Sequence, residues 1–388
     1  MPVDPLRGAA AIVGVAESDL GEVGPDRFAI ELAAQASLRA LAEAGLTTKD
    51  VDGLFGVVGD RRMSTLDLAE YLGIRPRYSD NTMIGGSACV AHLHHAAVAL
   101  QAGECDVALI AYANTPLADR KRGSARALAL EEPDYEHAYT PVRTISGYAL
   151  AAARHMHEYG TTREQLAQVA VAARQWAMLN PQAFKRDPLS IEDVLSSRVV
   201  SSPLSVLDCC LVTDGGGAAV LVRRERASDL SRSPVYVLGA AEAHWHKAIS
   251  QMPDLTVTAT VESAARAFAM AQVTPADVDI VQLYDAFTIN VVLFLEDLGF
   301  CEKGEGGAFV SDGRIAPGGQ LAVNTNGGGL SYCHPGMYGI FTIIEAVRQL
   351  QGGAGDRQQA APNIAIAHGN GGQLSSQATA VLGTGAVL

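Results

Sequence analysis

Positive charge is scarce in this sequence. Its 388 residues include 29 Lys and Arg against 42 Asp and Glu, which gives a formal net charge of −13 at pH 7. Nucleic acids and anionic membrane surfaces attract basic proteins, so this deficit argues against both as partners. An anionic ligand must therefore be held by a local group of cations rather than by the overall charge.

Cysteine is also sparse and unpatterned. The six Cys residues show neither a CxxC pair nor a zinc-finger spacing, so we expect no metal site and no disulfide framework. The N-terminal segment contains the acidic Asp4 and no long apolar run, so no signal peptide is predicted. Together these features predict a reduced, cytoplasmic protein.

Charge is absent from two long stretches, residues 81–103 and 315–344, which by length alone would admit membrane spans. The first stretch carries three His and a Gly-Gly pair, and the second is interrupted throughout by Gly and Pro. Such interruptions are poorly suited to a helix surrounded by lipid. We therefore predict buried elements of a soluble protein and no membrane association.

An internal repeat relates the two halves of the chain. The segment VGVAE at 13–17 recurs as LGAAE at 238–242, and AGLTTKDVDGL at 44–54 recurs as AQVTPADVDIV at 271–281. Both pairs have nearly the same offset, which indicates a duplication. Strands alternate with Ala-rich helices, which predicts an α/β fold with sheets covered on both faces. We expect the halves to be residues 1–232 and 233–388.

The first half contains a long helical insertion, about 115–200, that has no counterpart in the second half. Its clearest helical segments are 147–159 and 163–179. The insertion concentrates basic residues in an otherwise acidic protein, so it is either a solvated helical face or a cradle for a phosphorylated ligand. The candidate substrate-binding cations are Arg122, Arg174, Lys185 and Arg186, with Arg120 and Lys121 beside them.

One segment of the second half carries a family signature. The sequence NTNGGGLSYCHP at 324–335 resembles the thiolase superfamily, whose signature is Asn-x-Asn-Gly-Gly followed by Gly-His-Pro; only Cys333 departs, since the family has Gly there. PLSVLDCCLVTDGGGAAVLV at 203–222 resembles the strand that closes the first half of these proteins. The resemblance implies a duplicated five-layered αβαβα fold with a helical loop domain. Segments 282–309 and 331–350 are most similar to the sterol-carrier-protein-related branch, often labelled lipid-transfer proteins.

The catalytic Cys of that family has no counterpart here. Counting back from the turn at Gly103 places the family's nucleophile at Gly86, between Gly85 and Ser87. Cys89 lies about one helical turn further on and stays open as a displaced nucleophile. Ser87 stays open as a weaker alternative, because no acid–base partner is evident. A chain without the thiol is not expected to form the acyl-enzyme of a thiolase.

Other catalytic positions of the family also differ. Tyr284 and Asp285 stand in the box that reads Asn-Glu-Ala-Phe or His-Asp-Cys-Phe in thiolases, and His368 stands where the second catalytic Cys is expected. His334 keeps the position of the enolate-stabilising His. A Tyr hydroxyl can exchange a proton but does not form a stable acyl intermediate. Tyr284 could also be a core aromatic residue, and His334 a residue that only begins a helix.

Aldol chemistry fits this set of residues. In a retro-aldol cleavage a base removes the proton of a β-hydroxyl, the Cα–Cβ bond breaks, and the thioester becomes an enolate. We expect His334 to hold the enolate oxygen, Tyr284 or Tyr338 to exchange the proton, and His368 or Asp285 to tune or relay it. The groups expected to complete the oxyanion site are Gly86, Ser87, Asn324 and Asn326.

The resemblance implies a carbon–carbon lyase that acts on a β-hydroxyacyl-CoA, such as a steroid side chain, together with an OB-fold subunit that binds the acyl-CoA. No cofactor is expected apart from the CoA of the substrate. Two alternatives stay open: a Claisen-type thiolase or acetyl-CoA acyltransferase, and a non-catalytic subunit that binds acyl-CoA or lipid. We also expect a homodimer built on the first-half strand that ends near Ala113.

Overall fold

The computed structural model describes residues 4–123, 136, 139, 144–230 and 233–388. The strands in these residues are β1 (Ala10–Glu17), β2 (Gly53–Val58), β3 (Tyr78–Asp80), β4 (Val107–Asn114), β5 (Val199–Ser201), β6 (Leu204–Ser205), β7 (Gly215–Arg223), β8 (Val235–His244), β9 (Ile280–Leu283), β10 (Ala322–Val323), β11 (Ile364–Gly371) and β12 (Ser376–Gly383). The α-helices are α1 (Ala29–Glu43), α2 (Ser64–Leu72), α3 (Ala88–Ala102), α4 (Pro116–Lys121), α5 (Ile145–Tyr159), α6 (Arg163–Met178), α7 (Ile191–Ser196), α8 (Arg224–Ala227), α9 (Thr260–Ala271), α10 (Thr288–Asp297), α11 (Gly306–Phe309) and α12 (Gly339–Leu350).

A single mixed sheet of ten strands runs through the molecule in the order β10-β9-β11-β12-β8-β1-β7-β4-β2-β3. From the centre outward, the order β1-β7-β4-β2-β3 of the first half is repeated by β8-β12-β11-β9-β10 in the second. The halves join where Ala11 and Ile12 of β1 pair antiparallel with Tyr236 and Val235 of β8. This equivalent strand order confirms the predicted duplicated α/β fold.

The central strands are apolar on both faces. Strand β4 reads VALIAYAN and strand β1 reads AAIVGVAE, and almost every residue of both is buried. An alternating polar pattern is missing because helices cover each side of the sheet, which removes any water-facing position. Small Ala and Gly residues in these strands let the covering helices approach closely, as at Gly14, where a β-carbon would lie 2.2 Å from the Ala40 carbonyl oxygen.

Helices form the remaining layers of the fold. Helices α3 and α12 contact each other and strands of both halves, so they form the central layer. Helix α1 covers β1, β4 and β7 from one outer side, and α9 covers β8 and β12 from the other. The sequence of layers is thus helix, strands, helices, strands, helix. Helix α3 is buried around most of its circumference because it lies between the two halves.

The insertion contains α4 to α7 and the small antiparallel pair of β5 and β6. Its two main helices agree with the predicted segments to within two residues. Residues 124–135, 137–138 and 140–143, which belong to the predicted insertion, and residues 231–232, beside the predicted boundary of the halves, lie outside the described residues. The boundary between 232 and 233 therefore stays a prediction. Among the described helices, none combines the length and the apolarity that crossing a lipid bilayer requires.

The strand expected at a dimer interface lies inside the sheet and not at its edge. The strand that ends near Ala113 is β4, which pairs with β2 on one side and with β7 on the other. Both of its hydrogen-bonding edges are occupied, so it cannot pair with a second copy. The outermost strand of the first half is the short β3. Assembly through β4 was wrong, and homodimerisation itself stays a prediction.

Candidate active site

Tyr284 and Gly86 meet at the centre of the molecule. Tyr284 directly follows strand β9, and Gly86 lies two residues before helix α3. A β-carbon at position 86 would lie 2.1 Å from Cε2 of Tyr284 and 2.6 Å from the carbonyl oxygen of Asn370. These distances are far shorter than a van der Waals contact. The phenol ring therefore fills the space that a side chain at position 86 would need.

The Tyr284 hydroxyl shares a hydrogen bond with the imidazole of His334. The distance from Oη to Nε2 is 2.9 Å, and the two rings are nearly perpendicular with their centroids 5.6 Å apart. The backbone of His334 is fixed by Thr213, whose Oγ1 accepts from the His334 amide at 2.9 Å and whose own amide donates to the His334 carbonyl at 3.2 Å. The structure thus brings together the two residues that were predicted to carry the reaction.

Both members of this pair are uncharged at neutral pH. Burial raises the pKa of Tyr284 well above its ordinary value, and the neighbouring Cys210 and Tyr148 raise it further. Burial lowers the pKa of His334 to about 4, because the imidazolium would lose its hydration. A neutral imidazole has one nitrogen that donates and one that accepts. When its proton is on Nδ1, His334 accepts a hydrogen bond from the Tyr284 hydroxyl at Nε2. The same nitrogen can then take the phenolic proton during a reaction.

Asp285 positions the segment that leads to His334. Its Oδ1 accepts from the amide of Gly329 at 2.6 Å and its Oδ2 from the amide of Leu330 at 3.3 Å. These amides begin the π-helical turn Gly328–Tyr332, which ends two residues before His334. Burial raises the pKa of Asp285 to about 7. The carboxyl group therefore holds this turn, and its expected part in proton relay gives way to positioning.

Tyr338 supports the Tyr284 ring rather than offering a second free hydroxyl. Its Oη donates to Asn326 Oδ1 at 2.7 Å, and its ring meets the Tyr284 ring edge-on at 5.9 Å. The same oxygen of Asn326 accepts from the amide of Gly328 at 2.9 Å. Asn324 Oδ1 accepts from the amide of Leu283 at 2.6 Å. Both asparagine oxygens are thus engaged by the protein itself, and the side chain of Asn324 also hydrogen-bonds to Asp285. An enolate oxygen would need an N–H donor, which these oxygens are not, so the expected oxyanion role of Asn324 and Asn326 stays a prediction.

His368 lies on the other face of the second-half strands. Its Nδ1 contacts Thr379 Oγ1 at 3.0 Å, and its Nε2 contacts Thr260 Oγ1 and Gln377 Oε1, each at 3.2 Å. The ring packs against Phe294 of α10, and burial lowers its pKa to about 3. His368 is paired in parallel register with Leu283, so the two side chains share one face, and Tyr284, the next residue along the chain, points to the opposite face. The expected relay through His368 is not supported by this placement.

The turn before helix α3 is packed against the Gly-rich end of β11. A β-carbon at Gly371 would lie 1.9 Å from the carbonyl oxygen of Ile84, and one at Gly85 would lie 2.8 Å from the Cα of Gly371. The Ser87 hydroxyl is buried and shares a 2.6 Å hydrogen bond with the hydroxyl of Ser376. Ser87 is therefore no nucleophile in this arrangement. Its backbone amide, like that of Gly86, remains at the start of α3, where the helix dipole favours negative charge.

The cysteines do not replace the missing nucleophile. Cys89 is buried in the central layer, its thiol bonds to the backbone of Ile340, and burial raises its pKa to about 12. Cys333 is fully buried and burial raises its pKa well above the ordinary value. A thiol with such a pKa is not a thiolate at neutral pH, so it neither attacks nor carries an acyl group.

The four predicted substrate-binding cations do not form a common cradle. Arg122 donates to the carbonyl oxygens of Pro25 and Arg27, and Arg174 is buried with bonds to Ser331 Oγ and the carbonyl oxygen of Asp187. Both guanidinium groups are thus satisfied by the protein itself. Lys185 and Arg186 are exposed near the end of α6, where Arg186 donates to the carbonyl oxygen of Met178. Only the exposed pair remains available to a phosphorylated ligand.

Sequence reasoning missed three residues that shape the site. Cys210 and Tyr148 lie close enough to Tyr284 to influence its pKa, and the Tyr148 hydroxyl accepts from Asn370 Nδ2 at 2.7 Å. Thr213 fixes His334 as described above. Cys210 and Thr213 belong to the segment that resembles the closing strand of the first half, and this was the available signal. Tyr148 belongs to the insertion, where nothing in its spacing indicated an approach to the site.

Comparison with known proteins places this chain in a family. Residues 241–384 match the model of the thiolase C-terminal domain-like family. The chain is 36% identical over 375 residues to an acetyl-CoA acetyltransferase of Methanothermobacter thermautotrophicus, covering 93% of this chain and 96% of that protein. It is 35% identical over 388 residues to the 17-hydroxy-3-oxo-4-pregnene-20-carboxyl-CoA lyase of Mycobacterium tuberculosis, covering 94% of this chain and 97% of that one.

A solved structure shows the same architecture. The chain superposes on a structure described as an Ltp2-ChsH2(DUF35) aldolase with a TM-score of 0.87 and 31% identity, covering 98% of both chains. The chain belongs to the thiolase superfamily, in the branch that includes proteins named steroid side-chain-cleaving aldolase and sterol carrier protein 2. The predicted family and its fold are thereby confirmed.

Proposed function

We propose that this chain is a carbon–carbon lyase that cleaves a β-hydroxyacyl-CoA thioester by a retro-aldol reaction. One observation carries the proposal: the ring of Tyr284 occupies the space beside Gly86, where thiolases have their nucleophile, and its hydroxyl lies 2.9 Å from His334 Nε2. Such a site can move a proton, but the position of the family's nucleophile has no thiol to hold an acyl group. Lyases among the relatives support the same reaction class.

The proton transfer uses the hydrogen-bonded pair as a unit. Oη of Tyr284 takes the proton of the substrate β-hydroxyl while the proton of Tyr284 passes to His334 Nε2. The β-oxygen becomes a carbonyl, the Cα–Cβ bond breaks, and its electron pair forms the thioester enolate. The same proton then returns through Tyr284 to Cα, which yields a ketone and a shortened acyl-CoA. This relay replaces the expected division of labour, in which His334 held the enolate oxygen.

The enolate oxygen then needs donors other than His334. Amides at the start of α3, those of Gly86 and Ser87, lie beside the Tyr284 ring and carry the positive end of the helix dipole. By analogy with oxyanion-hole donors, one such group contributes about 3–4 kcal/mol to the stability of the transition state.

The substrate class follows from the reaction and from the relatives. A retro-aldol step releases a ketone when the β-carbon carries two further carbon substituents, as in a branched side chain. The lyase from M. tuberculosis is named for a steroid carboxyl-CoA. We propose a steroid or a similarly branched β-hydroxyacyl-CoA for this chain. The reaction has no net oxidation, so it needs no cofactor beyond the CoA of the substrate. A cytoplasmic location stays a prediction.

We further propose that a separate subunit binds the acyl-CoA. The matched aldolase structure is described by two component names, which supports a complex of two different chains in that relative. In this chain Arg122 and Arg174 are used internally, so of the four predicted cations only Lys185 and Arg186 are left for the phosphates of CoA. An OB-fold subunit would supply that binding surface. A homodimer of this chain would provide the frame for two such subunits.

A Claisen-type thiolase is the second candidate. The identity of 36% to an archaeal acetyl-CoA acetyltransferase is nearly the same as the 35% to the lyase, so overall similarity does not separate the two activities. Position 86 does separate them, because it has neither a thiol nor room for one while Tyr284 is in place. The thiolase alternative is therefore less well supported.

The test compares two substrates with the same enzyme preparation. The chain, co-expressed with its acyl-CoA-binding subunit, is given a branched β-hydroxyacyl-CoA, or a β-ketoacyl-CoA with free CoA, and products are measured by liquid chromatography and mass spectrometry. Cleavage of the hydroxy compound to ketone and acyl-CoA is expected. Thiolysis of the keto compound, with an acyl adduct on the protein, would overturn the proposal. Loss of cleavage in Tyr284→Phe would exclude a merely scaffolding role.

A further inference from the structure

A cluster of His and carboxylate side chains joins helix α3 to two strands. His95 bridges two carboxylates: its Nδ1 is 2.6 Å from Asp80 Oδ2 and its Nε2 is 2.7 Å from Glu242 Oε1. Asp80 ends strand β3 of the first half, whereas Glu242 belongs to strand β8 of the second. His95 therefore connects the edge strand of one half to the other half.

His92 lies beside this bridge and is fully buried, yet neither of its ring nitrogens has a hydrogen-bond partner among the described residues. Its ring packs near Phe55 and His95, with centroid distances of 6.0 Å and 5.9 Å. Packing explains why an aromatic ring is buried there. It does not explain two unpaired nitrogens, because buried polar groups are nearly always satisfied. The unpaired nitrogens indicate a ligand.

We propose that Asp80, His92 and His95 bind a Zn²⁺ ion. One ligand atom from each of the three lies within 4.8 Å of the other two. Tetrahedral Zn²⁺ with bonds of about 2.0–2.2 Å separates its ligand atoms by about 3.3 Å. The His95–Asp80 contact would open from 2.6 Å by less than an ångström. His92, whose ligand atom lies within 4.8 Å of the other two, would move inward by up to about 1.5 Å to reach the tetrahedral separation.

The surrounding groups suit such an ion. Glu242 accepts from Nε2 of His95, which leaves Nδ1 free for the metal, and a carboxylate behind a ligating imidazole is the usual arrangement. Two imidazoles and one carboxylate favour Zn²⁺ over Mg²⁺, which prefers oxygen and octahedral geometry. Asp80 and His95 retain side-chain exposures of 18% and 22%, so solvent can deliver the ion and complete its coordination with water.

The site would fix helix α3 in place. His92 lies six residues beyond Gly86, about 9 Å along the helix axis at 1.5 Å per residue. A bound ion would join α3 to the edge strand β3, and through Glu242 to β8. The start of α3, which presents Gly86 to Tyr284, would then be held from both halves. This role is structural, and it does not depend on which reaction the active site performs. The Cys spacing of the sequence gave no sign of it, because no Cys takes part.

A second trio, His94, His95 and Glu242, also has its ligand atoms within 4.8 Å of one another. The second trio also has two atoms without a hydrogen-bond partner among the described residues, His94 Nδ1 and Glu242 Oε2, but both belong to partly buried side chains, whereas both ring nitrogens of the fully buried His92 are unpaired. We assign the ion to the His92 trio for this reason. The two arrangements are separated by mutating His92 and His94 individually.

The experiment uses the full chain without a polyhistidine tag, stripped by a chelator and then titrated with Zn²⁺. Calorimetry and elemental analysis after gel filtration give affinity and stoichiometry. One equivalent is expected in the wild type, in His94→Ala and in the control His157→Ala, whose residue is exposed. His92→Phe, which keeps a ring against Phe55, and Asp80→Asn should weaken binding more than about 100-fold. Glu242→Gln should weaken it about 10–100-fold.

Thermal unfolding with and without Zn²⁺ gives a second readout. The ion should raise the unfolding temperature of the wild type and of His157→Ala, but not of His92→Phe or Asp80→Asn. If His92→Phe fails to fold, the Zn²⁺ binding and thermal unfolding of Asp80→Asn decide whether the site exists. The proposal would be overturned by a wild type that binds no Zn²⁺, by wild-type affinity in His92→Phe, or by loss of binding in His94→Ala alone.

Discussion

The substitution Gly86→Ala tests whether the position of the Tyr284 ring controls the reaction. The new β-carbon would lie 2.1 Å from Cε2 of Tyr284, whereas two carbon atoms need about 3.5 Å. The ring must therefore withdraw by about 1.4 Å. The hydrogen bond between Tyr284 and His334, now 2.9 Å, tolerates only about 0.3 Å before it leaves the usual range.

Activity should fall much more than stability. Loss of a general acid–base group lowers kcat by about 10²–10⁴-fold, which corresponds to about 3–5 kcal/mol in the activation barrier. Overpacking of one methyl group lowers the free energy of unfolding by about 1–3 kcal/mol. Steady-state cleavage of a branched β-hydroxyacyl-CoA gives the first quantity, and chemical denaturation gives the second. Gly353→Ala is a matched control, because its β-carbon would approach nothing closer than 3.7 Å.

A double-mutant cycle separates an effect on Tyr284 from general damage. If Ala at position 86 acts by displacing the phenol, it should cost no further activity in a protein that already carries Tyr284→Phe. Additive losses would mean that Gly86 matters for another reason, such as access of the thioester to the amides of α3. A folded Gly86→Ala protein with activity within about twofold of the wild type would refute the assignment of Tyr284.

Three further predictions concern the same site. Tyr284→Phe and His334→Ala should each lower kcat by about 10²–10⁴-fold with little change in KM, because both groups act in the transition state; steady-state kinetics will show a binding role instead if KM rises alone. Burial holds the pKa of His334 at about 4, and the imidazole must be neutral to accept a proton, so protonation of His334 should lower kcat/KM only as pH declines from about 5 towards 4; a profile with no further decline below pH 5 would contradict this. Because the unfolded chain protonates His334 more readily, the free energy of unfolding should also decrease as pH falls below about 6.5. Cys89→Ala and Cys333→Ala should keep most cleavage activity, whereas an acyl adduct on Cys89 in intact-protein mass spectrometry would restore the thiolase reading.

The duplicated fold could be predicted from the sequence because it depends on local patterns. Apolar strands, Ala-rich helices and two acidic turns recur at one offset, and each half folds by the same rules, so the strand order of one half repeats in the other. The contact between Gly86 and Tyr284 could not be predicted in the same way, since it joins residues from different halves. The sequence showed that position 86 lacks a thiol and that position 284 has a phenol. It did not show that the phenol ring fills the space beside position 86.

Motif position also failed to give side-chain direction. His368 matches a catalytic position of the family, yet strand alternation turns it to the opposite face, towards Thr260 and Phe294. Asn324 and Asn326 match the signature, but the sequence does not show that their oxygens accept from Leu283 and Tyr338. Arg122 and Arg174 illustrate a similar limit, because charge counts do not reveal that a guanidinium is already satisfied by backbone carbonyls.

A side chain at position 86 and the ring of Tyr284 cannot occupy the same space. This limits the order in which the two substitutions can occur during evolution. Consider an ancestor with Cys at position 86 and a smaller residue at position 284. If Tyr replaced the smaller residue first, its ring would overlap the side chain of the Cys. Replacing Cys by Gly first leaves a vacant, foldable and inactive intermediate that the ring can later fill. We therefore expect reconstructed ancestors between thiolases and these lyases to carry Gly without Tyr, and never the reverse combination.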